Sequence, residues 1–160
     1  MSSEKKSSIR SDELLHSFWH VSHSIRRIVH RTALANDLTV PQYALLITIA
    51  PFEEMTQKQL GKATFYPKST LSQAVDGLVQ AELIKRNPVE DNRREMQLTL
   101  SEKGRLLYDK MQLQESNIQQ VFEKATQSLG VKQYDELLST HLQIATFLEE
   151  EANEKGECTK

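Results

Sequence analysis

The sequence predicts a mainly α-helical protein with one short β-hairpin set among its helices. Three observations predict it. Apolar residues recur at helical spacing through both ends of the 160-residue chain. Pro41, Thr56 and Pro67 punctuate the middle into short helices. Finally, "EMQLTL" alternates polar and apolar side chains, as a strand with one buried face does.

Taken in order, residues 1–11 are polar and rich in Ser and Lys, which predicts a flexible terminus. From Asp12 to about Ala35, the apolar positions Leu14, Phe18, Val21, Ile25, Ile28 and Val29 follow helical spacing behind the "SDE" start signal. Pro41 suits the first turn of a second helix, "PQYALLITIA", which Pro51 ends. Thr56 reads as the N-cap of "QKQLGKAT", because its hydroxyl can accept from the next free N–H groups. After the turn "FYP", Pro67 opens a helix to about Ala81. Leu71, Val75, Leu78 and Val79 lie on one side of it, and Lys68, Ser69, Thr70, Ser72, Gln73 and Asp76 on the other. Two short helices joined by a tight turn form a helix-turn-helix pattern.

"ELIKRNP" and "EMQLTL" then read as two strands joined by the polar "VEDNR". A long helix is expected from Ser101 towards Ser128, with Leu107, Met111, Ile118, Val121 and Ala125 on one stripe, and Gly130 ends it. A last helix, Val131 to about Glu150, carries Leu137, Leu138, Leu142, Ile144, Ala145 and Leu148. The acidic end, 151–160, is expected to be flexible.

Composition excludes several classes. No apolar run approaches the roughly 18–20 residues of a membrane span. The start lacks the apolar segment of a secretory signal, so a cytoplasmic protein is expected. The single cysteine, Cys158, leaves no internal disulfide and no Cys-rich zinc site. There is no Gly-rich phosphate loop, nucleophile elbow or His/carboxylate pair in catalytic context, so no enzyme and no cofactor are expected. Net charge is -2, but its distribution is uneven. Residues 56–105 hold nine Lys/Arg against six Asp/Glu, whereas 106–160 hold five against ten. A basic middle matters more to a polyanionic partner than the total does.

The middle has the chemistry of a DNA reader. Ser and Thr reach phosphates or several bases, and Gln can pair bidentately with adenine in a major groove. A hairpin beside a helix-turn-helix is a wing, and Arg93 and Arg94 near its tip can reach a minor groove. Asp91 stands where it can brace a tip arginine. The alternative is a winged helix used for protein or RNA contacts.

"TQKQLGKATFYPKSTLSQAVDGLVQAELIKRNPVEDNRREMQLTLSEKGRLL" resembles the multiple-antibiotic-resistance regulator (MarR) family of winged-helix transcription factors, most closely in "MTQKQLG", "STLSQAVDGLVQAELIKR" and "DNRREMQLTLSEKG". The resemblance implies a single MarR-type domain over 1–160, with 12–35 and 101–150 as dimerisation helices, 40–100 as the winged helix-turn-helix, and 1–11 and 151–160 as flexible tails. It places Ser69, Thr70, Ser72 and Gln73 on the reading face of the recognition helix and Lys68 on a phosphate. Arg93 matches the wing arginine and Asp91 its support, with Arg94 beside them. It further implies a homodimer on a pseudo-palindromic operator, acting as a repressor and released by a small-molecule effector or an oxidant. The apolar surface of the terminal helices independently asks for a partner chain. A two-fold dimer would set its reading helices roughly 34 Å apart, one DNA turn.

Other features carry less. His16, His20 and His23 follow i, i+4, i+7, with Arg27 and His30 continuing the face. Imidazoles so spaced can share an ion, but Arg27 opposes a cation, and the pattern reads as a polar helix face with no metal. Some relatives sense peroxide through a cysteine in the first helix, and here that helix has none. Phe18, Trp19, Tyr43, Phe65 and Tyr66 are candidates for an effector pocket, although aromatics at helical spacing are more often core.

Overall fold

The computed structural model describes residues 2–90 and 92–156, with side chains for 10–90, 92 and 94–153. Among the described residues it has seven helices and three strands: α1 (Ser2–Leu34), α2 (Val40–Ile49), β1 (Met55–Thr56), α3 (Gln57–Thr64), α4 (Lys68–Gln80), β2 (Ile84–Val89), β3 (Asn92–Leu100), α5 (Glu102–Gln112), α6 (Ile118–Thr126) and α7 (Val131–Gly156). The chain divides into two units, 1–118 and 119–160.

The first unit is organised by caps and by one core. The Thr39 hydroxyl accepts from Gln42 N–H while the Gln42 side chain accepts from Thr39 N–H, a capping box that starts α2 one residue before Pro41. Thr56 and Gln59 repeat it at α3. The expected cap at Thr56 is therefore present, and Gln59 completes it as a reciprocal partner. Tyr43, Leu46 and Ile49 of α2 are buried with Leu60 of α3, Val75 and Leu78 of α4 and Leu98 of β3. This core fixes α4 against α2 and β2.

The hairpin belongs to a three-stranded antiparallel sheet of order β1-β3-β2. Ile84 pairs Leu100 and Pro88 pairs Met96, after which the register shifts and Val89 pairs Asn92. The third strand, Met55 and Thr56 paired with Leu98 and Gln97, was not expected. It is too short to show a two-residue period, and it ends where α3 begins.

The helix expected from Ser101 to Ser128 is two helices, α5 and α6, broken over 113–117. Side chains from the end of α1 and the turn after it account for the break. Asn36 Nδ2 donates to Gln114 Oε1 at 3.0 Å, and Gln114 Nε2 donates back to Asn36 Oδ1 at 3.1 Å. The Thr32 hydroxyl reaches the Ser116 carbonyl at 2.9 Å, and Asn117 Nδ2 reaches the Met111 carbonyl at 3.3 Å. Thr32, Asn36 and Asn117 are buried, so these bonds satisfy groups that would be costly to leave unpaired. The apolar stripe continues across the break, which is why periodicity alone could not reveal it.

Helix ends also run further than expected. The α1 backbone is helical from Ser2 and α7 continues to Gly156, against expected limits near Asp12 and Glu150. Apolar periodicity stops at those limits, but no Gly or Pro interrupts either helix there, and adding residues to an existing helix costs little.

In the second unit, α6 and α7 are amphipathic helices joined across Gly130. Phe122, Leu137, Leu142, Phe147 and Leu148 are exposed.

Candidate nucleic-acid interface

α4 presents two faces of opposite character. Leu71, Ala74, Val75 and Leu78 are buried, while Lys68, Ser69 and Gln73 are exposed and Thr70 and Ser72 are half-buried on the flanks. The residues expected to read DNA therefore share the outer side of one helix. Pro67 caps α4 without a side-chain hydrogen bond, whereas α2, α3 and α5 are capped by Thr39, Thr56 and Ser101. The first N–H groups of α4 are left to an acceptor from outside the chain, and the helix dipole favours an anion there.

The wing is tied to α4. Arg86 Nη1 of β2 donates to Asp76 Oδ1 of α4 at 2.7 Å, a pair that α4's polar face did not announce because its partner lies across the turn. Its groups are partly exposed, so it orients more than it stabilises. At the wing base, the Ser101 hydroxyl donates to the Glu82 carbonyl at 2.6 Å and accepts from Gly104 N–H at 2.9 Å, and Lys103 Nζ reaches the Ala81 carbonyl at 2.8 Å. The start of α5 thus clamps the turn between α4 and β2.

Arg94 is exposed on β3, and its backbone N–H donates to Asn92 Oδ1 at 3.2 Å. Asn92 was not among the expected residues, although Asn two positions before a bonded N–H is a familiar turn signal. Arg93 lies in β3, but its side chain and Asp91 fall outside the described residues, and with them the expected Asp91 brace. Arg94, Asn92, Glu95 and Met96 face Gln57 and Lys58 of α3 across a cleft of about 340 Å³, so two cations from separate elements open on one concavity.

The five aromatics named as pocket candidates differ widely in burial. Tyr43 is 1% exposed in the core; burial, with Tyr108 adding to it, holds its phenol above the usual 10.0. Tyr66 packs against the same core, and burial raises its phenol too. Phe18 is half-buried, Trp19 is 57% exposed and edge-on to His16 at 5.3 Å between ring centres, and Phe65 is 77% exposed. A cleft of about 840 Å³ lies along α1, lined by His23, Arg26, Arg27, His30, Arg31 and Val40 among others, and includes none of the five. His16, His20, His23 and His30 are exposed. Among the described residues no three His, Cys, Asp or Glu side chains gather as an ion site, and no helix is long and apolar enough to cross a membrane.

Residues 36–95 match the MarR family, a span holding α2, α3, α4 and the wing tip. That match spans 60 of the 160 residues. Members of that family are transcriptional regulators. The chain is similar to the organic hydroperoxide resistance transcriptional regulator of Bacillus subtilis, 31% identical over 74 residues. That match covers 46% of this chain and 50% of the relative, so it spans half the length of that protein. Among solved structures, a MarR family regulator from Neisseria meningitidis is 24% identical with a TM-score of 0.70, covering 89% of this chain and 98% of that one. Reduced AbfR bound to DNA is 17% identical with a TM-score of 0.70, covering 92% and 99%. A mutant MarR from E. coli complexed with operator DNA is 19% identical with a TM-score of 0.66, covering 82% and 93%. At these identities the structures establish the fold that the sequence predicted, a mainly helical winged helix-turn-helix, here with a third strand.

Proposed function

We propose that this chain is a homodimeric, sequence-specific binder of double-stranded DNA that regulates transcription in the cytoplasm. It represses a pseudo-palindromic operator and is released by a small-molecule effector, with no cofactor and no enzymatic step. One observation carries the reading: the outer side of α4 offers Lys68, Ser69 and Gln73 beside an uncapped helix start, in a stretch, 56–75, that contains Lys58, Lys62 and Lys68 and no carboxylate. Such a surface suits a phosphate backbone with base edges beneath it. In this reading Thr70 and Ser72 contact the groove walls, and Arg93, supported by Asp91, enters the adjacent minor groove with Arg94.

The dimer follows from apolar surface. Leu14, Leu15, Trp19 and Val21 on α1, and Leu138, Leu142 and Leu148 on α7, are exposed in the single chain. Faces of that kind mark contact with another chain. We take 1–160 as one domain, in which 12–35 and 101–150 clasp a second copy and 40–100 reads DNA. AbfR and the E. coli MarR, whose structures are described as DNA-bound, support the same use of the fold. Peroxide sensing is not carried over from the Bacillus relative, because α1 holds no cysteine.

Selection from random duplexes tests the reading. The expected result is an inverted repeat whose half-sites lie roughly 34 Å apart, bound by a dimer. Enrichment of no duplex at low salt, or a strictly monomeric protein in sedimentation, would overturn it in favour of a protein or RNA contact.

A further inference from the structure

Phe65 unites two unfavourable features. With φ 56° and ψ 18° it occupies the left-handed region as the C-cap of α3. There a Cβ crowds the following carbonyl, and glycine or asparagine is the usual occupant. Its ring is also 77% exposed, so no packing offsets that strain. The next residue behaves oppositely: Tyr66 packs into the core, and Pro67 then starts α4. The turn therefore directs one aromatic inward and throws the other out, beside the first turn of the reading helix.

The surroundings indicate what the exposed ring meets. Lys62 and Lys68 flank it in sequence and are exposed, as is Ser69. An exposed ring between two exposed lysines suits a polyanion that also has an apolar group in reach. DNA has such a group. In the major groove every base-pair edge is polar except the thymine 5-methyl, which takes apolar side-chain contacts. Strained backbone that persists while presenting a side chain marks a site where the presentation is used.

We propose that the Phe65 ring contacts a thymine 5-methyl group in each half-site and so adds a thymine preference to the code read by α4. The inference rests on the DNA-binding reading above. Phe65→Gly separates strain from recognition, because glycine accepts the left-handed conformation. The variant is expected to unfold at a higher midpoint than the wild type, yet to bind the duplex selected by the wild type about tenfold more weakly, as loss of partial ring burial implies. Replacing thymine by deoxyuridine, position by position in that duplex, removes single methyl groups. One position per half-site should weaken the wild type and leave Phe65→Gly unchanged. Equal affinity of the two proteins, or the same deoxyuridine profile in both, overturns the proposal while leaving DNA binding intact. A wild type that selects no duplex removes both.

Discussion

Gly104→Ala sets two effects against each other and the geometry decides between them. In an ordinary helix, alanine is favoured over glycine by up to about 1 kcal/mol. Gly104, however, is the third residue of α5 and lies against the turn between α4 and β2. A Cβ there would overlap the Leu83 carbonyl oxygen, stand 2.9 Å from the Leu83 carbonyl carbon and lie 3.4 Å from Leu100 Cδ2. Comfortable carbon contacts are about 3.5–4.0 Å, so backbone must retreat by about 1 Å. That backbone is held: the Leu83 carbonyl accepts from Ser101 N–H at 3.0 Å, and Ile84 and Leu100 open the β2–β3 ladder. Overpacking of this kind costs roughly 1–3 kcal/mol, or more where main chain must move. The clash outweighs the propensity gain, and a net loss of about 1–2 kcal/mol is expected. Urea unfolding at fixed protein concentration reads it as a lower midpoint with an unchanged slope. DNA affinity should fall as well, because the packing of α5 on this turn sets the angle between wing and α4. A variant as stable as the wild type, or more stable, would refute the account of the wing base.

The interface and its support can be tested at three further places. Arg93→Ala and Arg94→Ala should each weaken DNA binding and make its salt dependence shallower, by about one unit for every phosphate that the missing guanidinium had neutralised; an unchanged slope and affinity would remove that arginine from the interface. Gln73→Ala should relax preference at one base pair by roughly 1–3 kcal/mol, and equal discrimination across duplex variants by both proteins would count against a base-pair role. Asn36→Leu leaves Gln114 without its reciprocal amide and should cost roughly 1–3 kcal/mol in urea unfolding, whereas an unmoved midpoint would mean that solvent replaces the bond.

What was legible in the sequence is what local chemistry writes there. Pro41, Thr56 and Pro67 mark helix starts because caps and fixed φ act within a few residues, and α2, α3 and α4 begin within a residue of those marks. The polar outer side of α4 and the hairpin were likewise readable from spacing. The break between α5 and α6 was not, because its cause, the Asn36–Gln114 pair, joins side chains far apart in sequence. Strand β1 escaped because two residues carry no period. Tyr43 and Phe65 looked alike as aromatics beside helices, yet one is core and the other outside. Nothing in a phenylalanine announces positive φ.

The outer edge of the small sheet has a consequence for crowded conditions. β2, at that edge, carries Lys85 and Pro88. An unpaired strand edge templates addition of another chain, but proline offers no N–H to such a zipper and the lysine of one copy repels that of the next. Molecules gathered side by side at high local density can therefore slide past one another without fusing into a continuous ribbon.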